Sequence, residues 1–311
     1  MTHDESAGYR VIGGHQKNHP YLEKVASAYE DSPEDWRKVL GDLLHFQWGV
    51  YDHPDSPRPV SLDEAGTRHL ERQLQLAGLT APDRPRMRRV LDLGCGWGAT
   101  LHQLARAFPE CDCLEGVNIS RQQLEYSADF VTRHGEKRRV PLYLCDAAEI
   151  SRLPDPERLY DLVVLRGAIT HFPYQLYEVT MAALSARMRE GGLLVVSETL
   201  YSEEFIAAEP AVPQEDDHLA IGYRKTPEYF AKVLSQSGFA VRDMRVLPSY
   251  SDAAHWLLEL KSNIETRFPH GTPPPLAAIR DVSVPLSIAL LEERVGAYSV
   301  IAERRGHGPL P

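Results

Sequence analysis

Short apolar runs alternate with amphipathic stretches through the middle of the chain. Seven runs are predicted to be strands, and four of the stretches between them have the apolar period of helices. The predicted strands are Arg89–Leu93, Cys113–Asn118, Pro141–Cys145, Asp161–Leu165, Leu193–Ser197, Ala240–Arg245 and Ala297–Glu303. The predicted helices are Ala99–Phe108, Ser120–His134, Tyr174–Arg189 and Thr226–Ser237. This alternation predicts an α/β fold with a doubly wound, mostly parallel sheet that binds ligands at the carboxyl ends of its strands.

Further segments lie outside this alternation. Ser32 and Pro33 are typical of a helix start, and a second helix is predicted from Ser61 to Ala77. Residues 201–225 are acidic, and residues 249–293 hold two helical stretches around three prolines; we expect both segments to form a lid over the carboxyl edge of the sheet. The predicted organisation is a poorly ordered N-terminus (1–20), a helical cap (21–86), a ligand-binding core (87–248), a helical lid (249–293) and a last core strand with a tail (294–311).

A glycine-rich turn follows the first predicted core strand. Gly94, Gly96 and Gly98 allow the backbone to approach a ligand closely, and the helix that follows offers free N–H groups to an anion. Dinucleotide-binding folds use similar turns, but the spacing here is G-x-G-x-G, with Asp92 two residues before the first glycine. The segment D-L-G-C-G-W-G resembles the first motif of the class I S-adenosyl-L-methionine (SAM) methyltransferases. The resemblance implies a Rossmann-like sheet of seven strands and SAM as the cofactor. It also implies that Asp92 and the turn, including Cys95, hold the methionine end of SAM.

A second resemblance follows the next predicted strand. The segment G-V-N-I-S-R-Q-Q has Asn118 where many SAM enzymes carry an acidic residue, and Gln123 lies five positions later. This pattern resembles the subgroup of cyclopropane fatty acid synthases, sterol and tocopherol methyltransferases, and methyltransferases of bacterial specialised metabolism. The resemblance implies that Asn118 and Gln123 bind the ribose with Ile119 beside them, and that Asp146 and the backbone of Ala147 bind adenine. Alternatively, Gln123 is an exposed helix residue and Asp146 caps the turn after its strand.

The segment after the fourth predicted strand carries the candidate base. In related enzymes this segment lies beneath the sulfonium, and a histidine at the position of His171 often removes the proton of a hydroxyl acceptor. A structural role is the alternative interpretation of His171. We also assign Arg166, at the end of this strand, to the cofactor site. Cyclopropane synthases carry glutamate where this chain has Thr170, which argues against a cyclopropane synthase and weakens the case for carbocation chemistry on an alkene.

Aromatic residues before the core and in the lid form the candidate acceptor site. The segment L-H-F-Q-W-G-V-Y-D resembles one that closes over the methionine end of SAM in the same subgroup. Aromatic rings suit both a sulfonium cation and an apolar acceptor. We therefore predict that Phe46, Trp48, Tyr51, Thr170 and Trp256 contact the acceptor. The alternative for these aromatic residues is ordinary hydrophobic packing.

Composition narrows the class of partner. The chain has 311 residues and a formal net charge of −10, and no Lys/Arg-rich stripe offsets it, so we expect no nucleic-acid partner. The four cysteines lack the paired spacing of a zinc site, and we interpret Glu215–His218 as a solvated acidic loop rather than a metal site. We recognise no signal peptide and no apolar run near the ~20 residues of a membrane span. We expect a cytoplasmic protein with a small-molecule acceptor, no metal site and no membrane partner, in which a lid helix could serve a homodimer.

The predicted reaction is methyl transfer from SAM to a hydroxyl or an activated carbon of a small specialised metabolite, with His171 as the base for a hydroxyl. One alternative is C-methylation of an isoprenoid diphosphate, which predicts a Mg²⁺ requirement and an anion site that includes Arg224, Lys225, Arg242 and Arg245. Another is a cyclase that binds SAM without methylating. The sequence leaves open the acceptor and the choice between O- and C-methylation.

Overall fold

The computed structural model describes residues 8–13, 20–27, 29, 32–51, 60–82, 84–209, 217 and 219–306, and these contain one sheet of eight strands. The strands are β1 (Arg10–Val11), β2 (Arg89–Leu93), β3 (Cys113–Asn118), β4 (Leu142–Leu144), β5 (Tyr160–Arg166), β6 (Met188–Tyr201), β7 (Phe239–Val246) and β8 (Val295–Arg304). Their order across the sheet is β1-β4-β3-β2-β5-β6-β8-β7. The pairs from β1 to β6 are parallel, and β8 runs antiparallel to both β6 and β7. The predicted mostly parallel α/β sheet is confirmed.

Helices pack around this sheet. They are α1 (Pro20–Ser27), α2 (Pro33–Leu40), α3 (Leu62–Leu76), α4 (Ala99–Ala107), α5 (Arg121–Arg133), α6 (Tyr174–Arg187), α7 (Glu203–Ala208), α8 (Pro227–Gln236), α9 (Tyr250–Arg267) and α10 (Pro274–Leu291). Two short 3-10 turns, Ala147–Arg152 and Ile169–His171, follow β4 and β5. The predicted cap Ser32 accepts the backbone N–H of Glu34 at 3.3 Å, which satisfies one of the amides that the first helical turn leaves unpaired.

The seven predicted strands and the four predicted core helices are present, and most of their ends agree within two residues. The exception is β6, which the sequence predicts as Leu193–Ser197 and which runs from Met188 to Tyr201. An added strand and the end of α6 also differ. β1 is an eighth strand in the segment 1–20, where the sequence predicts no element, because a strand of two residues has no period to detect. Residues 1–7 and 14–19 of that segment lie outside the described ones. Helix α6 ends two residues before its predicted end, because Met188 already pairs with Tyr160 of β5. The predicted division into five segments stays a prediction.

Two apolar clusters cover the two faces of the sheet. On one face Leu70 of α3, Leu101 of α4 and Leu124 of α5 are fully buried against the strands. On the other face Tyr177 of α6 and Phe230 of α8 are fully buried. Burial of one large apolar side chain contributes about 1.5–3 kcal/mol, so these contacts hold the sheet and fix the position of its carboxyl edge.

A third apolar cluster joins α2 to α9 and α10 beyond that edge. Trp36, Leu260 and Leu276 are fully buried in it. Within the described chain, α10 is the one helix whose length and composition would allow it to cross a membrane, with a mean hydropathy of 1.3. The sequence did not reveal this stretch, because Arg280 and Asp281 interrupt the apolar run. In the structure α10 packs along α9, and 33% of its apolar window is buried.

The chain changes its direction across the sheet at β2. From β2 it continues to β3 and β4 on one side and then returns to β5 on the other side. The carboxyl ends of β2 and β5 therefore border a crevice, which is where ligands of open α/β sheets bind. The glycine turn follows Leu93 at the end of β2, so the predicted switch point is confirmed.

A buried ion pair joins β2 and β3 near the opposite edge of the sheet. Arg89 donates from Nη2 and Nε to the two carboxylate oxygens of Glu115, at 2.9 and 3.2 Å, and both side chains are 2% exposed. The Tyr160 hydroxyl donates to the same carboxylate, and Arg89 also donates to the carbonyl oxygen of Pro154 at 2.9 Å. These additional hydrogen bonds offset the desolvation of two buried charges.

Candidate active site

A cavity is lined by the carboxyl ends of β2 to β6 and by α9 and α10. It brings together most of the residues that the sequence assigned to the cofactor and the acceptor. Those in its wall are Phe46, Trp48, Gly94, Cys95, Gly96, Asn118, Ile119, Gln123, Asp146, Ala147, Arg166, Thr170, His171 and Trp256. Three predicted site residues, Asp92, Gly98 and Tyr51, do not belong to the wall. The individual roles assigned to all these residues stay predictions.

The three residues outside the wall have other contacts. Asp92 lies inside β2 and is 2% exposed, and Gly98 is the residue that caps α4. Tyr51 donates its hydroxyl hydrogen to Oε2 of Glu259 at 3.0 Å, and its ring lies edge-on to that of His255, 4.4 Å between centroids. Tyr51 therefore contacts α9 and does not reach the cavity.

The glycine turn has a left-handed backbone and a close neighbour. Gly94 has a φ of 86° and Gly96 a φ of 54°, which favour residues without a Cβ. A Cβ on Gly94 would lie 2.7 Å from the Cβ of Ala168, in the segment after β5. The N–H groups of Gly94 and Cys95 donate to the carbonyl of Val117 at 2.8 and 3.0 Å. The turn is therefore held against β3 on one side and against the segment after β5 on the other.

A buried guanidinium lies beside the glycine turn. Arg166 is 8% exposed, and its Nε and Nη1 have no hydrogen-bond partner among the described residues. Burial lowers the pKa of Arg166 to about 10 and raises the pKa of Asp92 to about 7, and the charge of each group opposes the shift of the other. Nη2 of Arg166 lies 3.2 Å from Nδ1 of His69. Because buried N–H groups without a partner are costly, this wall fits an anionic group such as the carboxylate of the methionine end of SAM.

The loop after β3 fixes the orientation of Gln123. Oδ1 of Asn118 accepts the backbone N–H groups of Ile119 and Ser120, at 2.7 and 3.2 Å. Nδ2 of Asn118 donates to Oε1 of Gln123 at 2.9 Å. Since that carbonyl oxygen is already bound, Gln123 offers its amide nitrogen as a donor to the cavity. Asn118 acts here by positioning Gln123, which fits a ribose hydroxyl as acceptor.

Asp146 caps a turn and also lies in the cavity wall. Its Oδ1 accepts the backbone N–H of Ala148 at 2.9 Å, so it caps the turn that follows β4. Asp146 and Ala147 also belong to the cavity wall. The cap holds the carboxylate in place, and the second oxygen is not part of that cap. This arrangement fits an amino group of a base such as adenine.

His171 is bound at both ring nitrogens. Nδ1 lies 3.0 Å from the carbonyl oxygen of Ala220, and Nε2 lies 2.9 Å from the hydroxyl of Tyr29. A carbonyl only accepts, so Nδ1 carries the hydrogen and Nε2 accepts the hydrogen of the phenol. Burial lowers the pKa of His171, the hydrogen bond to Ala220 opposes this shift, and the charge of Lys225 adds to it. The imidazole is therefore neutral near pH 7 and able to take up a proton.

Sequence reasoning missed Tyr29 and Glu198, and it assigned Lys225 only to a possible anion site. Tyr29 lines the cavity, and so does Glu198 of β6. Lys225 is 2% exposed and donates all three of its N–H bonds to carbonyl oxygens, at 2.7–3.0 Å. A usable signal existed for Glu198, because an acidic residue directly follows the buried run Leu193–Ser197. No local pattern marks Tyr29 or Lys225, since each reaches this region only through the fold.

The rest of the wall is apolar and aromatic. The rings of Phe46 and Trp48 lie 5.8 and 5.6 Å from that of Trp256, measured between centroids. Further apolar members are Leu44, Leu176, Leu219, Ile221, Leu257, Ile279, Val282 and Leu286. These residues pack on one another and also line the cavity, and their contact with an acceptor stays a prediction. Such a wall excludes water and suits an apolar acceptor.

The basic residues proposed for an anion site do not form one. Arg224, Lys225, Arg242 and Arg245 are absent from the cavity wall in the described part of the chain. Arg242 pairs with Glu303, and Arg245 pairs with Asp243. Lys225 donates to backbone carbonyls, and Arg224 donates to the carbonyl of Glu209. A diphosphate would therefore find no basic cluster from these four residues.

The acidic loop is only partly described. Glu215, Asp216 and His218 lie outside the described residues. The carboxylate of Asp217 accepts the N–H groups of Ile221 and Gly222, at 3.0 and 2.9 Å, so it stabilises its own loop. No group of three or more His, Cys, Asp or Glu side chains able to hold a metal ion occurs among the residues with assigned positions.

Known proteins resemble this chain over parts of their length. It is 29% identical over 178 residues to the methyltransferase GfsG of Streptomyces halstedii, covering 57% of this chain and 58% of GfsG. It is 28% identical over 153 residues to the chloroplastic tocopherol O-methyltransferase of Arabidopsis thaliana, covering 48% of this chain and 42% of that protein. The matched region thus spans about half the length of these relatives.

Solved structures share the whole fold. The cyclopropane synthase MmaA2 from Mycobacterium tuberculosis superposes with a TM-score of 0.74 at 15% identity, over 94% of this chain and 100% of that one. The [4+2]-cyclase SpnF superposes with a TM-score of 0.72 at 18% identity, over 92% and 97%. At such identities the similarity shows the fold alone.

The profile of the family "Mycolic acid cyclopropane synthetase" matches residues 16–292, which is most of the chain. S-adenosyl-L-methionine is the cofactor of this family, and the cavity has a guanidinium with two unpaired nitrogens, a left-handed glycine turn and an oriented amide that fit it. The chain belongs to the mycolic acid cyclopropane synthetase family of class I SAM-dependent methyltransferases.

Proposed function

We propose that the protein transfers the methyl group of SAM to a hydroxyl of a small, mostly apolar specialised metabolite. The observation that carries this proposal is the neutral imidazole of His171, whose Nε2 accepts the Tyr29 hydroxyl in the wall of the cavity. A base of this kind serves a hydroxyl acceptor. The acceptor class rests on the apolar wall around it.

The cofactor supplies an electrophilic methyl group on a sulfonium. Arg166 would bind its carboxylate, Gln123 its ribose and Asp146 its adenine amino group, because each offers the matching donor or acceptor to the cavity. Asp92, which is not in the cavity wall, would act indirectly, because its charge stabilises the charged form of Arg166. The residues around the acceptor contribute alignment and exclusion of water, since the sulfonium is intrinsically reactive.

Proton removal would pass through Tyr29. An acceptor hydroxyl that donates to the Tyr29 oxygen gives up its proton as Tyr29 passes its own proton to Nε2 of His171. The acceptor oxygen forms the new bond to the methyl carbon, and the electron pair of the broken carbon–sulfur bond stays on sulfur. One proton moves to His171, which ends as an imidazolium with Nδ1–H still bound to Ala220.

The experiment is labelling with methyl-labelled SAM and a panel of hydroxylated polyketides, phenols and prenyl diphosphates. We expect label in an ether product from the hydroxylated compounds. Label only on a carbon of a prenyl diphosphate would overturn the proposal, as would a SAM-dependent product of unchanged mass. The first result would favour C-methylation and the second a cyclase. Arg224, Lys225, Arg242 and Arg245 give the diphosphate no support. A cytoplasmic location, a homodimer and the lack of nucleic-acid or membrane partners stay predictions.

A further inference from the structure

The wall of the cavity contains a carboxyl group with one unused oxygen. Glu198 lies in β6, three residues before the strand ends at Tyr201, and it is 1% exposed. Its Oε1 accepts the backbone N–H of Thr199 at 2.9 Å. Its Oε2 is buried and has no hydrogen-bond partner among the described residues. The backbone N–H groups of Thr170 and Ile169 act on the carboxyl group and lower its pKa, but neither makes a hydrogen bond to Oε2, and the surrounding wall is mostly apolar.

Such an oxygen favours a ligand that brings a donor to it. A buried polar atom that lacks a hydrogen bond destabilises the structure, and the deficit is recovered when a donor fills the position. No described side chain provides that donor. Tyr29, whose pKa the charge of Glu198 helps to raise, donates its hydroxyl hydrogen to His171 instead.

The charges nearby favour a neutral donor over a cation. The ammonium of Lys225 lies in the same region, and its charge stabilises the charged form of Glu198 while burial raises the pKa of this carboxyl. Lys225 donates its three N–H groups to the carbonyl oxygens of Ile169, Phe172 and Tyr223. It therefore balances the charge of Glu198 without occupying Oε2. A second cation would leave this region with an excess of positive charge.

We infer that Glu198 is a specificity-determining residue whose Oε2 binds a second, non-reacting hydroxyl of the acceptor. The acceptor class is thus an apolar compound with two hydroxyls, one of which is methylated while the other is held by Glu198. The inference rests on the proposed function only in taking this cavity as the acceptor site. It adds a rule of selectivity, because a compound with a single hydroxyl would leave Oε2 unpaired when it enters.

The test is calorimetric binding of naphthol, the isomeric dihydroxynaphthalenes and aminomethylnaphthalene to the protein saturated with S-adenosylhomocysteine. At least one diol is expected to bind about tenfold or more tightly than naphthol. Glu198→Ala is expected to abolish this preference, and Glu198→Gln, which keeps an oxygen acceptor, to retain part of it. Glu265→Gln on the exposed face of α9 is the matched control and is expected to retain all of it.

Several outcomes would overturn the inference. They are equal affinities for naphthol and all diols, a preference that survives Glu198→Ala, tighter binding of the amine than of the diols, and no measurable binding of any probe. The affinity of each variant for S-adenosylhomocysteine reports whether it folds, and Glu198→Gln serves if the alanine variant fails. Binding is measured without methyl transfer. A Glu198-dependent diol preference without methylation would therefore overturn only the proposed function, and methylation with no role of Glu198 only this inference.

Discussion

Tyr29 donates its hydroxyl hydrogen to Nε2 of His171 across 2.9 Å, although the two residues are 142 positions apart in the chain. Nδ1 of His171 is committed to the carbonyl of Ala220 at 3.0 Å. The nitrogen that can take up a proton is thus reached through a phenol oxygen. His171 could therefore take the acceptor's proton directly or receive it through Tyr29, and substitutions distinguish these two mechanisms.

His171→Ala is expected to lower the turnover number for O-methylation by roughly 10²-fold or more, because it removes the final proton acceptor. Tyr29→Phe is expected to cause a loss of similar order, because the phenylalanine ring cannot relay a proton. Steady-state kinetics with saturating SAM would measure both. Undiminished turnover in Tyr29→Phe would leave His171 as a direct base, and undiminished turnover in His171→Ala would remove it from catalysis.

The pH profile of turnover should have its acid limb below the ordinary imidazole value of 6.5. Catalysis needs the neutral ring, and burial together with the charge of Lys225 lowers the pKa of His171, while Ala220 and Asp217 oppose the shift. Activity therefore stays constant as the pH falls past 6.5 and declines only at lower pH. A decline that begins above pH 6.5 would contradict this assignment. The pH profile of the Tyr29→Phe variant is the useful comparison, since this variant keeps the imidazole ring of His171.

Asn118 and Gln123 are expected to act as one unit in cofactor binding. Gln123→Ala removes the amide that faces the cavity, and Asn118→Ala removes the hydrogen bond that orients it. Each change should weaken binding of S-adenosylhomocysteine by about tenfold, and the double variant should be little weaker than either. Calorimetry of S-adenosylhomocysteine binding to the wild-type protein, the two single variants and the double variant completes this double-mutant cycle. Additive losses would show that Asn118 contacts the ribose independently.

Arg166→Gln is expected to weaken S-adenosylhomocysteine binding by roughly 10- to 100-fold, because it deletes a charged partner for the carboxylate. Arg245→Gln, on an exposed strand position paired only with Asp243, is the control and should bind normally. S-adenosylhomocysteine that lacks the carboxylate should bind both proteins equally if Arg166 holds that group. A persisting difference would assign Arg166 a purely structural role.

The pair of Arg89 and Glu115 is expected to dominate stability at the amino edge of the sheet. Glu115→Ala leaves a buried guanidinium without its counter-ion, which costs about 3–5 kcal/mol in the free energy of unfolding. Removal of the exposed partner in the Arg242–Glu303 pair should cost less than about 1 kcal/mol. Urea denaturation of Glu115→Ala and Arg242→Gln would measure the contrast. Equal losses would refute it.

The sequence predicted what local pattern controls. The strands β2 and β3 were predicted with their correct ends, because an apolar run and a following glycine or helix cap mark each boundary. β1 escaped detection because its two residues gain their structure from β4. The cofactor side of the cavity was predictable for the same local reason, since its residues directly follow strand ends.

The acceptor side was less predictable, because its members meet only through tertiary packing. Tyr51 follows the same aromatic segment as Phe46, yet it turns to Glu259 while Phe46 lines the cavity. Tyr29 and Lys225 come from segments without a recognisable motif. Tyr29 contacts His171, and Lys225 contacts the carbonyl oxygen of Phe172, only through the fold, and no sequence pattern encodes these contacts.

The contact between Gly94 and Ala168 joins the glycine turn to the segment that leads to His171. A methyl group at residue 94 would occupy the place of the Ala168 side chain, only three residues before His171. Any such change would push the glycine turn away from the segment that carries His171. Residues 94 and 168 can therefore gain larger side chains only through compensating changes in both segments.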